Sequence, residues 1–241
     1  MKVCGVTDIG CHRRDNQDSY VIRELGDGRV LLVVCDGMGG AQAGSVASSV
    51  AAEAFAAAVE RALAGAPEAE EQALAQACRE ANRKVYQLSR ERAEYEGMGT
   101  TLVAALAGPD GCCVANVGDS RGYLLEEGAV RQVTVDHSLV QLLVDRGEIT
   151  PDQARVHPRK NLITRALGVD SQVECDLGRL ELRPGCRLLL CSDGLTNTMD
   201  DETLLRVSGR ERSPEGFCQA LLDLALERGA PDNVTVVLAQ L

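Results

Sequence analysis

The chain has 241 residues, 45% of them hydrophobic, which is enough for one large domain or two small ones with a substantial core. Only 2% are aromatic and none is Trp, so Leu, Val and Ala must fill that core, and the stacking platforms of single-strand nucleic-acid binders are missing. The net charge of −11 argues against any nucleic-acid partner, because phosphate backbones are bound by clustered Lys and Arg.

Residues 2–7 and 19–25 read as strands on either side of the polar loop TDIGCHRRDNQD. Residues 30–40, VLLVVCDGMGG, open with a short apolar run of the kind that forms a buried strand. Ala43–Leu63 is Ala-rich and predicts a helix, with Val46, Val50, Val59 and Leu63 at helical spacing. Gly65–Pro67 breaks it. A second helix follows, acidic at its start (Glu68, Glu70, Glu71) and basic at its end (Arg90, Arg92), as the macrodipole favours. Leu74, Cys78, Ala81, Val85 and Leu88 form its apolar stripe, and the two helices are expected to cover one sheet as an antiparallel pair.

Four strand-like runs lie between Thr100 and Val133, followed by a short helix over Ser138–Arg146 that Gly147 stops. Thr150, Pro151 and Gln153 stand where an N-cap, a first-turn proline and a capping-box partner belong. Residues 155–161, RVHPRKN, read as an exposed basic loop. Strands resume over 173–182 and 187–192, a helix capped by Ser213-Pro214 runs to Gly229, and a last strand follows. Helices and strands do not alternate regularly, which favours α+β over a doubly wound parallel sheet.

The ten cysteines are scattered, mostly inside apolar runs, and read as small buried hydrophobes rather than disulfides. No C-x-x-C pair suggests zinc, and no cysteine has an arginine six positions later, which removes the phosphate loop of cysteine-dependent phosphatases. No apolar run approaches the ~20 residues a bilayer requires. The opening MKVCGVTDIG lacks a long apolar segment, so the expectation is a cytoplasmic chain with no membrane partner.

Four acids sit at strand ends: Asp36 after the Leu31–Val34 run, Asp119 after CCVANVG, Asp193 after RLLLCS, and Asp232 just before Val234–Leu238. Asp36-Gly37 is first of all a hairpin signal. Its recurrence suggests the alternative, that four carboxylates converge on one edge of a sheet. Crowded carboxylates either take up protons or hold a cation. Oxygen ligands without His or Cys select hard cations such as magnesium or manganese, and a dinuclear site of that kind acidifies a water for hydrolysis. Nucleotide-binding alternatives fail. After Gly39 and Gly44 the chain has Ser45-Val46 where a phosphate loop needs Lys and Ser/Thr, and Gln42 takes the last glycine position of G-x-G-x-x-G counted from Gly37.

Eight short motifs then occur in order: Thr7-Asp8-x-Gly10-x-x-Arg13-x-x-Asn16-Gln17-Asp18, Asp36-Gly37-Met38-Gly39-Gly40, Gly97-Met98-Gly99-Thr100-Thr101, Asn116-Val117-Gly118-Asp119-Ser120-Arg121, Asp136-His137-Ser138, Ile163-Thr164-Arg165-Ala166-Leu167-Gly168, Ser192-Asp193-Gly194 and Asp232-Asn233-Val234-Thr235. Together they resemble the metal-dependent protein phosphatases of the PPM (type 2C) family, nearest to the bacterial single-domain members, over residues 7–235. The resemblance implies an α+β fold, a four-layer αββα sandwich of two antiparallel sheets flanked by helix pairs, with residues 1–241 forming one catalytic domain and about 145–161 a flap beside the cleft. It implies a protein serine/threonine phosphatase with two tightly bound manganese or magnesium ions and a bridging water. Asp36 would bridge the ions, helped by the Gly37 carbonyl, and Asp193 and Asp232 would complete the site. Arg13 would bind the substrate phosphate, and Asp18 and Asn233 would orient ligands or waters.

Asp119 either caps its own turn or, with Asp193, holds a third, weaker ion whose water protonates the leaving group. Phosphoprotein substrates, a cognate serine/threonine kinase and a monomeric enzyme are implied as well. The chain departs from some members at Gln17, where they carry Glu, and at Met38, where they carry a His proposed as general acid; Met38 has no proton to give. His137, just before a helix, reads as a capping or packing residue. The alternatives are an inactive phosphoprotein-binding module or a hydrolase of small phosphoesters. Replacing Arg155, Arg159 and Lys160 is expected to alter phosphopeptide turnover and to leave p-nitrophenyl phosphate almost untouched.

Overall fold

The computed structural model describes residues 1–26, 28–40, 42–65, 70–109 and 111–241. In chain order the elements are β1 (Lys2–Asp8), β2 (Asp18–Glu24), β3 (Val30–Met38), α1 (Ala43–Gly65), α2 (Glu70–Glu91), β4 (Gly99–Thr100), β5 (Leu102–Gly108), β6 (Gly111–Val117), β7 (Arg121–Glu126), β8 (Ala129–Gln132), α3 (Leu139–Asp145), α4 (Pro151–Arg155), β9 (Asp176–Leu180), β10 (Arg187–Cys191), α5 (Asp193–Thr196), α6 (Asp201–Arg210), α7 (Pro214–Glu227) and β11 (Val234–Gln240). One antiparallel sheet runs β1-β11-β10-β7-β8, the other β2-β3-β5-β6-β9, with β4 paired to the end of β3.

The run in β3 is continuously apolar because both of its faces are covered. Leu31, Val33 and Cys35 pack with Ala47, Phe55, Leu74 and Val85 of α1 and α2. The alternate residues Val30, Leu32 and Val34 pack against Leu188, Leu190 and Val237 of the other sheet. On the far side Leu189, Cys191 and Val236 meet Phe217 and Leu221 of α7. Three apolar layers between four structural ones make the αββα sandwich, and the expected helix pair does cover one sheet. Among the described residues no helix is long and apolar enough to cross a membrane.

Several local expectations change. Asp36-Gly37 is no hairpin: β3 continues through Met38, pairing Gly37 with Thr100 and Met38 with Gly99. The buried face of α1 is Ala47, Ala51, Phe55 and Val59, while Val46, Val50 and Leu63 are only partly buried. Alanine lets α1 approach both its sheet and α2 closely, so the small residues turn inward. β9 is shorter than the 173–182 run, and α6 had no counterpart in the sequence reading. The break at Pro67 and the acid Glu68 lie outside the described residues.

Candidate active site

The ends of β3, β6, β10 and the start of β11 open on one cleft, a cavity of about 270 Å³ lined by Asp36, Gly37, Met38, Asp119, Asp193 and Asp232 together with Arg13. Asp36 is fixed through its backbone. Its N–H donates to Thr101 Oγ1 at 2.9 Å, and its carbonyl accepts from Thr100 Oγ1 at 2.8 Å and the Thr101 N–H at 2.9 Å. Opposite it in register on β2 lies buried Asp18. Asp18 Oδ2 accepts from Ser192 Oγ and Thr235 Oγ1, each at 2.7 Å, so this carboxyl ties one sheet to the other at the cleft end.

The loop bearing Arg13 is held to the start of β11 by Asn233. Its Oδ1 accepts the Gln17 N–H at 2.8 Å, and its Nδ2 donates to the carbonyls of Ile9 and Asp15 at 2.9 and 3.0 Å. Gly10 is required here. Its φ is +75°, and a Cβ would stand 2.2 Å from the Asp232 carbonyl oxygen. Thus held, exposed Arg13 donates from Nη2 to Asp232 Oδ2 at 2.5 Å.

The cluster carries more negative charge than its surroundings can stabilise. Burial above all, then Asp18, Asp193, Asp119 and Asp232, push the Asp36 carboxyl well above the usual carboxylate range. Burial raises Asp18 to about 7 against the two hydroxyl bonds that lower it. Burial, then the charges of Asp193 and Asp136, raise Asp119 to about 8. Asp193 is raised by burial and then by Asp232. Two buried oxygens of this cluster, Asp18 Oδ1 and Asp193 Oδ1, have no hydrogen-bond partner among the described residues. Orphaned carboxylate oxygens beside raised carboxyls are what a cation would satisfy. Among the described residues no three Asp, Glu, His or Cys side chains close round one ion. The donors in the cleft are all oxygens, which fits a hard cation such as magnesium that takes one or two carboxylates and keeps several waters.

The cleft rim is organised by His137. Its Nδ1 accepts the Gly118 N–H at 3.0 Å, its own N–H donates to the Gly118 carbonyl at 2.9 Å, and Nε2 lies 3.2 Å from Asp176 Oδ2. His137 therefore anchors the turn that presents Asp119, and the helix N-cap is the next residue, Ser138. From there residues 139–162 make an excursion whose two ends are tied by Leu139 N–H to Leu162 O and Thr164 N–H to His137 O, both 2.8 Å. Within it α4 carries the expected capping box on Thr150 and Gln153. Lys160 Nζ donates to Asn197 Oδ1 at 2.8 Å, and Asn197 Nδ2 donates to Asp193 Oδ2 at 2.9 Å. The excursion thus reaches the acid cluster through one amide.

All four strand-end acids, Gly37 and Arg13 meet at this cleft. Asp18 lies beneath Asp36, and Asn233 orders the Arg13 loop while its backbone N–H bonds Asp232 Oδ1 at 2.9 Å. Ser192, Thr235, Thr101 and Asn197 were not singled out from the sequence. Ser192, Thr235 and Thr101 stand inside the quoted motifs, which was the available signal; Asn197 had none.

Comparison with known proteins gives one answer. The profile of the family described as Protein phosphatase 2C matches residues 12–221. The serine/threonine phosphatase stp of Listeria monocytogenes serotype 4b (strain F2365) is 40% identical over 235 residues, covering 97% of this chain and 93% of that protein. The crystal structure of serine/threonine phosphatase Stp1 from Staphylococcus aureus superposes with a TM-score of 0.92 at 39% identity, covering all of this chain (100%) and 94% of that one. The catalytic domain of the serine threonine protein phosphatase PstP, crystallised in complex with two manganese ions, gives a TM-score of 0.83 at 37% identity, covering 99% of this chain and 97% of that one.

Proposed function

We infer the chemistry from one premise: the chain belongs to the protein phosphatase 2C family and is a protein serine/threonine phosphatase that acts on phosphoproteins. The proposed reaction is hydrolysis of phosphoserine and phosphothreonine at the carboxylate floor. The observation that carries it is the meeting of Asp36, Asp119, Asp193 and Asp232 in one cleft with Arg13 at its mouth. Asp36, Asp193, Asp232 and the Gly37 carbonyl are the proposed holders of two magnesium or manganese ions. The orphaned Asp193 oxygen and the two manganese ions of the PstP domain support this. When bound, such ions supply Lewis-acid stabilisation of phosphoryl charge and an acidified water as nucleophile.

Arg13 is the proposed phosphate grip, since a planar guanidinium matches two phosphate oxygens at once. Its pairing with Asp232 balances that acid's charge; with a cation held at Asp232, the guanidinium would be free to meet substrate. Asp18 keeps Asp36 and the two sheets in register. Its place between Ser192 and Thr235 supports a positioning role. Asp119 is proposed to share a third, weaker ion with Asp193, supported by its position on the cleft wall and its raised carboxyl. Met38 lines the cleft and has no proton to donate, so the leaving alkoxide must take its proton from water or from another group of the cleft.

The 145–161 segment is the proposed flap of a single catalytic domain. A cytoplasmic monomer opposed by a serine/threonine kinase completes the reading, on the family resemblance. The test is release of phosphate from a phosphothreonine peptide by the cation-stripped protein with and without added manganese. Release only with manganese is expected; equal release in EDTA would overturn the cation-dependent floor.

A further inference from the structure

Away from the cleft, two thiols meet across 214 positions of sequence: Cys4 Sγ and Cys218 Sγ are 2.7 Å apart. Cys4 lies in the middle of β1, an edge strand that pairs, among the described residues, with β11 alone. Cys218 lies near the start of α7, which packs on that sheet. Cys218 is buried and Cys4 partly exposed. A disulfide needs about 2.05 Å between sulfurs, so these two are already close to bonding distance.

We propose that Cys4 and Cys218 are a peroxide-responsive pair that closes into a disulfide and ties β1 to α7. Cys4 is the attacking sulfur because an oxidant can reach it, and Cys218 is the resolving one. The Cys4 thiolate takes one oxygen from hydrogen peroxide as the O–O bond breaks, giving a sulfenic acid and hydroxide. The Cys218 thiol then displaces that oxygen, forming the S–S bond and releasing water. In sum two thiols lose two electrons and two protons, and one peroxide becomes two waters. The surroundings favour this order. The contact with Cys218 holds the Cys4 thiol below its usual range, with burial and Glu215 opposing and the Arg187 guanidinium assisting. The Cys35 and Cys191 thiols are instead raised by burial, which makes them poor nucleophiles. In the structure all ten cysteines are free thiols, and the proposed response to peroxide gives this one pair a role beyond packing.

The tie would close a loop spanning most of the chain and hold the strand that leads into the Arg13 loop. The full chain is treated with one equivalent of hydrogen peroxide, quenched, and mapped by mass spectrometry without reduction. The expected product is a Cys4–Cys218-linked peptide, with a melting temperature higher by on the order of 10 °C, reversed by dithiothreitol. Cys4→Ser must abolish both changes. Cys218→Ser must leave Cys4 as a sulfenic acid that dimedone traps. Recovery of Cys4 and Cys218 unlinked after the peroxide is consumed, or a link between other cysteines, overturns the pair. A linked protein that melts no higher overturns the tie.

Discussion

Asp36 and Lys160 both lie close to Asp193, but they are held on different terms. Asp36 sits in β3, with three hydrogen bonds between its own backbone and Thr100 and Thr101 and a register partner on β2. Lys160 reaches the floor through one side-chain bond to Asn197, at the end of an excursion whose surface is largely exposed. Moving the floor means breaking sheet pairing. Releasing Lys160 costs one partly solvated hydrogen bond, about 1 kcal/mol. The floor can therefore hold an unfavourable accumulation of charge that a loop could not, and substitutions there should have much larger effects than substitutions in the excursion.

The largest effect expected is that of Asp36→Asn. The amide keeps the shape of β3 but removes the charge that the floor offers to cations, so phosphopeptide turnover should fall on the order of a thousandfold. The cation-stripped variant should melt no lower than the parent, because a repelled buried carboxyl has gone. Substantial turnover at saturating manganese would erase the distinction between floor and excursion.

Arg13→Ala comes next. If the guanidinium grips phosphate in ground and transition states alike, KM for a phosphothreonine peptide should rise roughly tenfold or more while kcat changes less. An unchanged KM would mean that phosphate is bound by other groups.

How much of this was legible differs between the same two regions. The floor announced itself through repetition, an apolar strand running into Asp-Gly or Gly-Asp, because buried strands and tight glycine turns leave strong local patterns. Gly37 shows why: a Cβ there would stand 2.0 Å from the Gly44 carbonyl oxygen at the start of α1. The partners of Asp18 were silent, since Ser192 and Thr235 lie 174 and 217 positions away and only the packing of one sheet on the other brings them near. The Lys160–Asn197 link, 37 positions long, was equally invisible. Helix α6 escaped notice because DETLLRVSGR has few apolar residues, of which only Leu204 is buried, alongside Thr203. Its start, Asp200 accepting the Thr203 N–H at 2.9 Å, was the missed signal.

The charge on the floor also predicts how stability depends on pH. In the folded, cation-free chain Asp18 and Asp119 hold protons up to about 7 and about 8, whereas unfolded aspartates release theirs near 3.9. Between those limits the folded state binds more protons than the unfolded one, so this stabilising contribution is complete at low pH and is lost as pH rises. In EDTA the melting temperature should fall by several degrees from about pH 5 to about pH 8, and manganese should flatten the profile. A cation-free protein with no such slope would mean that the floor is not strained by its charge.

The smallest expected effect separates the excursion's own residues. The sequence led to the expectation that Arg155, Arg159 and Lys160 all influence phosphopeptide turnover and spare p-nitrophenyl phosphate. Lys160 now stands apart, because Asn197 passes its contact to Asp193. Lys160→Ala should lower turnover of both substrates roughly fivefold, matching about 1 kcal/mol, and weaken manganese binding measured by calorimetry. Asn197→Ala should do at least as much, and the double variant should be no worse than Asn197→Ala alone, since the two residues act in series. Arg155 and Arg159 are exposed, and their replacement should slow only the phosphopeptide. If the Lys160 and Asn197 effects simply add, or if Lys160→Ala spares p-nitrophenyl phosphate and manganese affinity alike, the amide carries no influence from the excursion to the floor.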